Sequence, residues 1–199
     1  MTKNEATVMR MILSKAFIII YLMNMCSIIS GFFAVNNFKK YAQKNGLDNE
    51  NYLAWVGSIA SVMNASRFLW SMLTDYFSYK VIYGILLTMQ IILNFTVPQV
   101  ADSNALYAIW IALMLLCEGG HFTLVPNVLK KIYGEKGTTL YGICFSYSSI
   151  CAIIIVILQG QILDDSVSSY NTFFYINGSG SCVSLLLLIF LFKEEKFKS

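Results

Sequence analysis

Charged residues are scarce in this sequence. Lysine and arginine account for 14 of the 199 residues and aspartate and glutamate for 11, so 13% of the chain is charged. Soluble domains carry roughly 25% charge. The deficit leaves little surface for water, and most of the chain is expected to face lipid or other protein. No basic stripe lies outside the apolar stretches, so a nucleic-acid partner is not predicted.

The sequence also lacks the patterns of metal centres and enzymes. None of the five cysteines has C-x-x-C spacing, and all lie in apolar stretches, which predicts packing roles rather than metal ligation or disulfides. No H-E-x-x-H, P-loop, G-x-S-x-G or dinucleotide-binding pattern occurs. The sequence therefore predicts no metal site, no cofactor and no enzymatic activity.

Long apolar stretches fill the chain instead. A membrane-crossing helix needs about 20 mostly apolar residues. Six windows qualify: 13–35, 52–73, 81–98, 104–125, 140–163 and 172–192. Only helices and closed barrels satisfy the backbone in hydrocarbon, and the alternation of barrel strands is absent. We therefore predict an all-α membrane protein whose single domain, 1–199, contains six transmembrane helices.

The connections between these windows are short, with one exception. The polar segment Asn36–Asn51 is predicted to be a loop, whereas Phe77–Lys80 is predicted to be a tight turn between the second and third helices. Pro126 and Gly134 are typical of helix ends, so the fourth helix is predicted to end near Pro126.

Basic residues are distributed unequally between the two sides that these connections define. Three fall on the side of the long loop and ten on the side of the termini, which predicts that both termini face the cytoplasm or an equivalent inner compartment. The three are Lys39, Lys40 and Lys44, and the ten are Lys3, Arg10, Lys15, Lys80, Lys130, Lys131, Lys136, Lys193, Lys196 and Lys198.

Three ionisable residues lie inside the windows. A guanidinium near mid-bilayer costs about 2.5 kcal/mol or more, so Arg67 should have a partner. Its planar fork suits a carboxylate ligand, and a structural ion pair is the alternative. Glu118 and His121 share a helix face at a depth matching Arg67, so Glu118 could pair with Arg67. Such a group is typical of proton-coupled transport, and an inert buried network is the alternative.

Further polar residues are candidates for the same site. Asp75 ends the second window, where it is a candidate charge relay with Glu118 and His121, although a gating or structural lock of the turn is favoured. The fifth window is unusually polar, which predicts that Tyr141, Ser146 and Ser148 line a cavity and bind substrate.

Three segments resemble a known family of transporters. The first, Asn64-Ala-Ser-Arg67-Phe-Leu-Trp70-Ser-Met-Leu-Thr-Asp75-Tyr-Phe-Ser-Tyr-Lys80, is similar to the N-G-x-x-R-x-x-W-G-x-x-S-D-x-x-G-R-K pattern of the eighth helix of major facilitator superfamily transporters. Gly119-Gly120-His121-Phe122-Thr-Leu-Val-Pro126 resembles the tenth helix of the oxalate/formate antiporter and monocarboxylate transporter-like branch. Tyr133-Gly134 and Tyr141-Gly142-Ile-Cys-Phe resemble the loop and eleventh helix that follow.

The resemblance implies a fold and a substrate class. Members have twelve helices in two six-helix halves, each half built of two three-helix repeats, so the chain looks like one C-terminal half. The family's binding arginine corresponds to Arg67. Ser78 and Tyr79 replace the Gly-Arg of the turn, which weakens the expected lock there. Ser148 stands where oxalate/formate antiporters carry a lysine, so a divalent anion is not favoured.

Two functions follow as hypotheses. The first is transport of a small organic anion such as a monocarboxylate, by exchange or coupled to protons. The partner would be a second six-helix half, either another copy or a separate subunit, and the two would share the cavity in the bilayer. The alternative is a non-transporting scaffold subunit of a larger membrane complex. A channel or membrane enzyme is disfavoured because no matching motif occurs. A truncated gene model would also account for six helices.

Overall fold

The computed structural model describes residues 3–164 and 166–195, with side chains from Thr7 onward. Every regular element in these ranges is helical. Ten α-helices and one 3₁₀ turn follow one another: α1 Lys3–Ile12, α2 Lys15–Ser27, α3 Ile29–Lys44, α4 Glu50–Ala65, α5 Phe68–Tyr76, α6 Tyr79–Val100, α7 Asn104–Tyr133, the 3₁₀ turn Gly134–Lys136, α8 Gly137–Cys144, α9 Ser146–Ile162 and α10 Val167–Phe190.

Four helical segments among the described residues are long and apolar enough to cross a membrane: Lys15–Lys44, Tyr79–Val100, Asn104–Ile162 and Val167–Phe190. The predicted all-α membrane class is thereby confirmed. The count differs from the six windows for two physical reasons. The window 52–73 is divided between α4 and α5, each shorter than a crossing helix, and the windows 104–125 and 140–163 fall in one helical segment.

Two predicted boundaries are wrong. The segment predicted as a loop from Asn36 is helical as far as Lys44, because α3 continues beyond its apolar part. Likewise α7 does not end near Pro126 but contains it and continues to Tyr133. Gly134, with φ +61°, ends that helix in a conformation that glycine adopts without strain. The length of an apolar window reflects the thickness of the hydrocarbon layer, whereas α3 and α7 continue beyond their apolar parts.

Contacts between helix ends define two ends of the bundle. At the first, here called the terminal end, Ser14 and Tyr133 share a hydrogen bond of 2.5 Å. There Lys80 Nζ also donates to the carbonyl of Ile189 at 2.9 Å, and Lys131 pairs with Glu194.

The opposite end, here called the loop end, carries the connection 45–49. Tyr41 at the end of α3 donates to Asn171 near the start of α10 at 2.6 Å, and Tyr107 near the start of α7 donates to the carbonyl of Phe38 at 2.6 Å. The grouping of basic residues rests partly on Lys196 and Lys198, which lie outside the described residues.

Three helix interruptions occur within the apolar sequence. Ile28 separates α2 from α3, Ser66 and Arg67 separate α4 from α5, and Phe145 separates α8 from α9. The helices α6, α7 and α10 are continuous. The continuous helix α6 packs against the continuous helices α7 and α10. The interrupted segments pack around these three helices; α4, for example, lies along α7.

Candidate functional site

Arg67 lies at the break between α4 and α5. The N–H of Ser66 bonds to the carbonyl of Met63 at 3.2 Å, and the N–H of Arg67 bonds to the carbonyl of Asn64 at 3.1 Å, each three residues back. These three-residue bonds tighten the chain into a 3₁₀ turn, as is common where an α-helix ends. The Arg67 side chain is exposed on the surface of the chain.

The pair Gly119-Gly120 lets α7 approach this break closely. A Cβ on Gly119 would lie 2.7 Å from the carbonyl oxygen of Asn64 and 2.8 Å from Cβ of Arg67. A Cβ on Gly120 would lie 3.0 Å from the indole of Trp70, whose Nε1 donates to the carbonyl of Leu116 at 3.0 Å. Small residues serve this purpose in membrane helices, and here they fix α7 against the Arg67 turn.

Glu118 is buried at the same crossing. Its Oε2 accepts a hydrogen bond from Nδ2 of Asn64 at 3.0 Å, and its aliphatic part packs on Gly31 of α3, where a Cβ would come within 2.6 Å of its Cγ. The proposed pairing with Arg67 is not formed, although α4 and α7 are neighbours. Within the described part of the chain, the ion pair within 4.0 Å is Lys131–Glu194.

His121 is fully buried on the other side of α7. Its Nε2 lies 3.1 Å from Oε1 of Gln90, and its Nδ1 lies 3.1 Å from the hydroxyl of Tyr83. The same hydroxyl contacts Asn24 at 3.2 Å and Ser27 at 3.1 Å. Because Nε2 of Gln90 donates to the carbonyl of Ser27, its Oε1 is an acceptor, and His121 therefore donates through Nε2. His121 thus belongs to a polar network that joins α2, α6 and α7.

Aromatic side chains cluster around Phe122 of α7, the residue before Thr123, which contacts the Arg67 turn. The ring of Phe122 lies 6.4 Å from that of Phe32 and 5.9 Å from that of Phe145, and Tyr141 lies 5.8 Å from Phe145. The hydroxyl of Tyr141 reaches the carbonyl of Phe122 at 3.5 Å, and the hydroxyl of Thr123, the next residue of α7, lies 3.3 Å from the carbonyl oxygen of Arg67. We call Phe32, Phe122, Tyr141 and Phe145 the aromatic wall.

The remaining predicted site residues lie in different surroundings. Ser146 is exposed, with its hydroxyl 3.1 Å from that of Tyr21, whereas Ser148 is buried and donates to the carbonyl of Phe145 at 2.7 Å. Asp75 lies eight residues along α5 from Arg67, about 12 Å by helix rise. It lines a cavity of about 350 Å³ at the terminal end, together with Lys130. Arg67 and Tyr141 thus contact neighbouring residues of α7, Thr123 and Phe122, whereas Ser148 and Asp75 lie outside the wall.

Sequence reasoning missed several members of this site. In the sequence Phe32, Phe122 and Phe145 are ordinary apolar residues, and only their clustering in space distinguishes them. Asn64, which connects Glu118 to the Arg67 turn, was detectable as a polar residue inside an apolar window. The described residues contain no group of three His, Cys, Asp or Glu side chains that could hold a metal ion, and their five cysteines are free.

Long apolar helices and an arginine that forms no ion pair within the described residues are typical of membrane transport proteins. The family model described as Major Facilitator Superfamily matches residues 15–199, and the chain belongs to that superfamily. The chain is also 31% identical over 99 residues to apicoplast pyruvate carrier 1 of Toxoplasma gondii. That match covers 48% of this chain and 18% of the carrier, so this chain aligns with less than a fifth of its relative's length.

Proposed function

We propose that this chain transports a small monocarboxylate, with Arg67 binding the carboxylate. The observation that carries the proposal is the state of Arg67: it is exposed beside the aromatic wall and forms no ion pair with any described residue. A guanidinium inside a bilayer is costly unless an anion meets it, and its planar fork fits a carboxylate. The aromatic rings would contact the short apolar part of such a substrate.

The relative supports the substrate class. The relative is named a pyruvate carrier, and pyruvate is a monocarboxylate. The absence of a cation from the wall agrees with one carboxylate rather than two, because Ser148 stands at the position that the resemblance gives to a lysine. Pyruvate is accordingly the first substrate to test, in the oxalate/formate and monocarboxylate transporter-like branch of the superfamily.

We further infer that the chain forms one six-helix half of a transporter. The segment Asn104–Ile162 would cross twice by folding back at Gly134, and α4 with α5 would cross once as an interrupted helix. A second half, either another copy or a separate subunit, would close the cavity over the aromatic wall. Exposed apolar side chains on α4 and α5 would contact either lipid or such a partner: Trp55, Val62, Phe68, Met72 and Tyr76.

Orientation follows the distribution of lysine and arginine, with both termini on the cytoplasmic or equivalent inner side. Exchange and proton coupling are both compatible with one buried carboxyl group near the wall. We assign proton exchange to Glu118 rather than His121, because Glu118 lies beside Asn64 and the Arg67 turn, whereas both ring nitrogens of His121 have hydrogen-bond partners.

Uptake into liposomes tests the proposal. The purified chain, alone and with its co-purifying partner, is reconstituted and assayed for uptake of radiolabelled pyruvate with and without internal pyruvate. Arg67→Ala should abolish uptake. Arg10→Ala, the same change at the chain's other arginine, lies on α1 and should leave uptake unchanged. Equal uptake by the Arg67→Ala and wild-type chains would refute the binding role, and absence of uptake under all conditions would favour the scaffold hypothesis.

A further inference from the structure

A groove between α3 and α9 at the loop end has the chemistry of an anion site. Its volume is about 520 Å³, within the ~300–1,000 Å³ that small-molecule sites occupy. Phe32, Asn36 and Lys40 line one side, and they recur every four residues, so they share one face of α3. Ile155, Val156 and Gln159 line the other side from α9. The groove contains no acidic side chain.

The polar part of the groove presents hydrogen-bond donors and no carboxylate. Lys40 forms no ion pair within 4.0 Å among the described residues. Nε2 of Gln159 is buried and has no hydrogen-bond partner, so a donor is withdrawn from water with nothing to receive its hydrogen. A buried donor of this kind is unfavourable unless a ligand or water meets it. Asn36 uses one N–H of Nδ2 to bond the carbonyl of Phe32 at 2.8 Å, which leaves the second N–H of the same group as a further donor.

Asp164, just beyond α9, does not neutralise Lys40. The hydroxyl of Ser166 and its backbone N–H donate to Oδ1 of Asp164 at 2.6 and 3.0 Å, and these hydrogen bonds lower the pKa of Asp164 to about 2. Its carboxylate is therefore ionised, but it is engaged by Ser166 and is not among the residues that line the groove.

The lower part of the groove is apolar and meets the aromatic wall. Phe32 belongs to both, with its ring 6.4 Å from that of Phe122. Lys40 lies eight residues beyond Phe32 on α3, about 12 Å toward the loop end. A ligand in the groove would thus place its charged group at Lys40 and its apolar part toward Phe32, Ile155 and Val156.

We propose that Lys40, with Gln159 and Asn36, forms a second carboxylate-binding site, which takes amphipathic monocarboxylates at the loop end of the path to Arg67. The site rests on the proposed transport function and extends it to a capture step. Lys40 attracts the anion and the aromatic rings connect the two positions, so substrate is concentrated beside the path before it reaches Arg67.

Chemical protection tests binding independently of transport. The full chain in detergent is treated with a water-soluble amine-acylating reagent, and acylation of Lys40 and Lys39 is compared by fragment-ion mass spectrometry. Lys39 is the internal control because it is exposed on the same helix and does not line the groove. Pyruvate and hexanoate should slow acylation of Lys40 but not of Lys39, and hexanamide, which lacks the charge, should not.

Variants connect the site to uptake. Lys40→Gln should raise KM for pyruvate or hexanoate about tenfold with little change in maximal rate, as expected when one charge-assisted hydrogen bond is lost. Lys39→Gln should resemble wild type. The Arg67→Ala chain should lose uptake while its Lys40 remains protected, because the two sites are separate.

The two proposals fail in distinguishable ways. Protection of Lys40 in a chain that moves no substrate would refute the transport proposal and retain the anion site. Equal acylation of Lys40 with and without hexanoate would overturn the second site, whether or not pyruvate is transported. Equal KM values for Lys40→Gln and Lys39→Gln would likewise overturn its role in capture.

Discussion

Asn64 and Glu118 are joined by a hydrogen bond of 3.0 Å between α4 and α7. The carbonyl of the same asparagine accepts the N–H of Arg67 at 3.1 Å. One residue thus connects the buried acid to the turn that carries the exposed base. Arg67 and Glu118 act on opposite sides of Asn64 rather than as an ion pair, which leaves the guanidinium available to a ligand.

Removal of this link should be measurable as a loss of stability. Asn64→Ala leaves Oε2 of Glu118 without its donor and should lower the free energy of unfolding by about 1 kcal/mol, the size of interhelical hydrogen bonds in membrane proteins. Thermal unfolding of the purified chain measures the change. Glu118→Gln offers an oxygen acceptor to Asn64 and should lose less. Asn51→Ala, at an exposed position, is the control, and an equal shift for Asn51→Ala and Asn64→Ala would contradict the assignment.

A methyl group should distinguish two glycines of the bundle. Gly119→Ala places a Cβ 2.7 Å from the carbonyl of Asn64, so α7 must move away from the Arg67 turn. We expect a cost of about 1–3 kcal/mol from overpacking, together with reduced uptake. Gly142→Ala is matched in chemistry, but its Cβ meets no atom within 4 Å. The Gly142→Ala variant should keep both stability and uptake. Melting temperature and pyruvate uptake are measured for both variants and compared with wild type. Similar losses in both variants would show that close packing at Gly119 is not the cause.

The hydroxyl of Tyr83 should matter more than its ring for the network around His121. Tyr83→Phe retains the aromatic contacts but removes the group that meets His121, Asn24 and Ser27. We expect about 1–3 kcal/mol of destabilisation, because buried polar atoms lose their partner. Tyr76→Phe, at a side chain 81% exposed, should change nothing. Thermal unfolding again measures the difference. An unaltered melting temperature for Tyr83→Phe would show that the hydrogen-bond network around His121 does not stabilise the fold.

The class of the molecule was predictable from the sequence because hydrocarbon imposes a single backbone solution on long apolar segments. The extent of the helices was not. Lys39 and Lys40 gave α3 the composition of a loop, although a helix that leaves the hydrocarbon continues readily in water. The break at Ser66 and Arg67 left no mark in apolar content, because it arises from hydrogen bonds that shift from four residues back to three.

The site was predictable in its charged residue but not in its arrangement. Because an arginine inside a bilayer is energetically costly, the sequence alone indicated Arg67 as a candidate binding residue. The matched depth of Glu118 and Arg67 suggested an ion pair. Depth along a helix does not fix the direction in which a side chain points, and the Glu118 side chain packs on Gly31 of α3 instead. The partners of His121 were visible as isolated polar residues, Gln90 among them, whereas their convergence depends on how three helices pack.

The interruptions at Ile28, Arg67 and Phe145 distribute stiffness unevenly through the molecule. A continuous helix resists bending along its whole length, whereas a missing bond in its ladder concentrates bending at one point. The interruption at Ile28 adjoins Phe32, the one at Phe145 lies in the aromatic wall, and the third contains Arg67. The helices α6, α7 and α10 have no such break, although Pro98 in α6 and Pro126 in α7 each remove one bond of the ladder. On the proposed function, bending at the three interruptions would therefore change the space beside Arg67, where the carboxylate would bind.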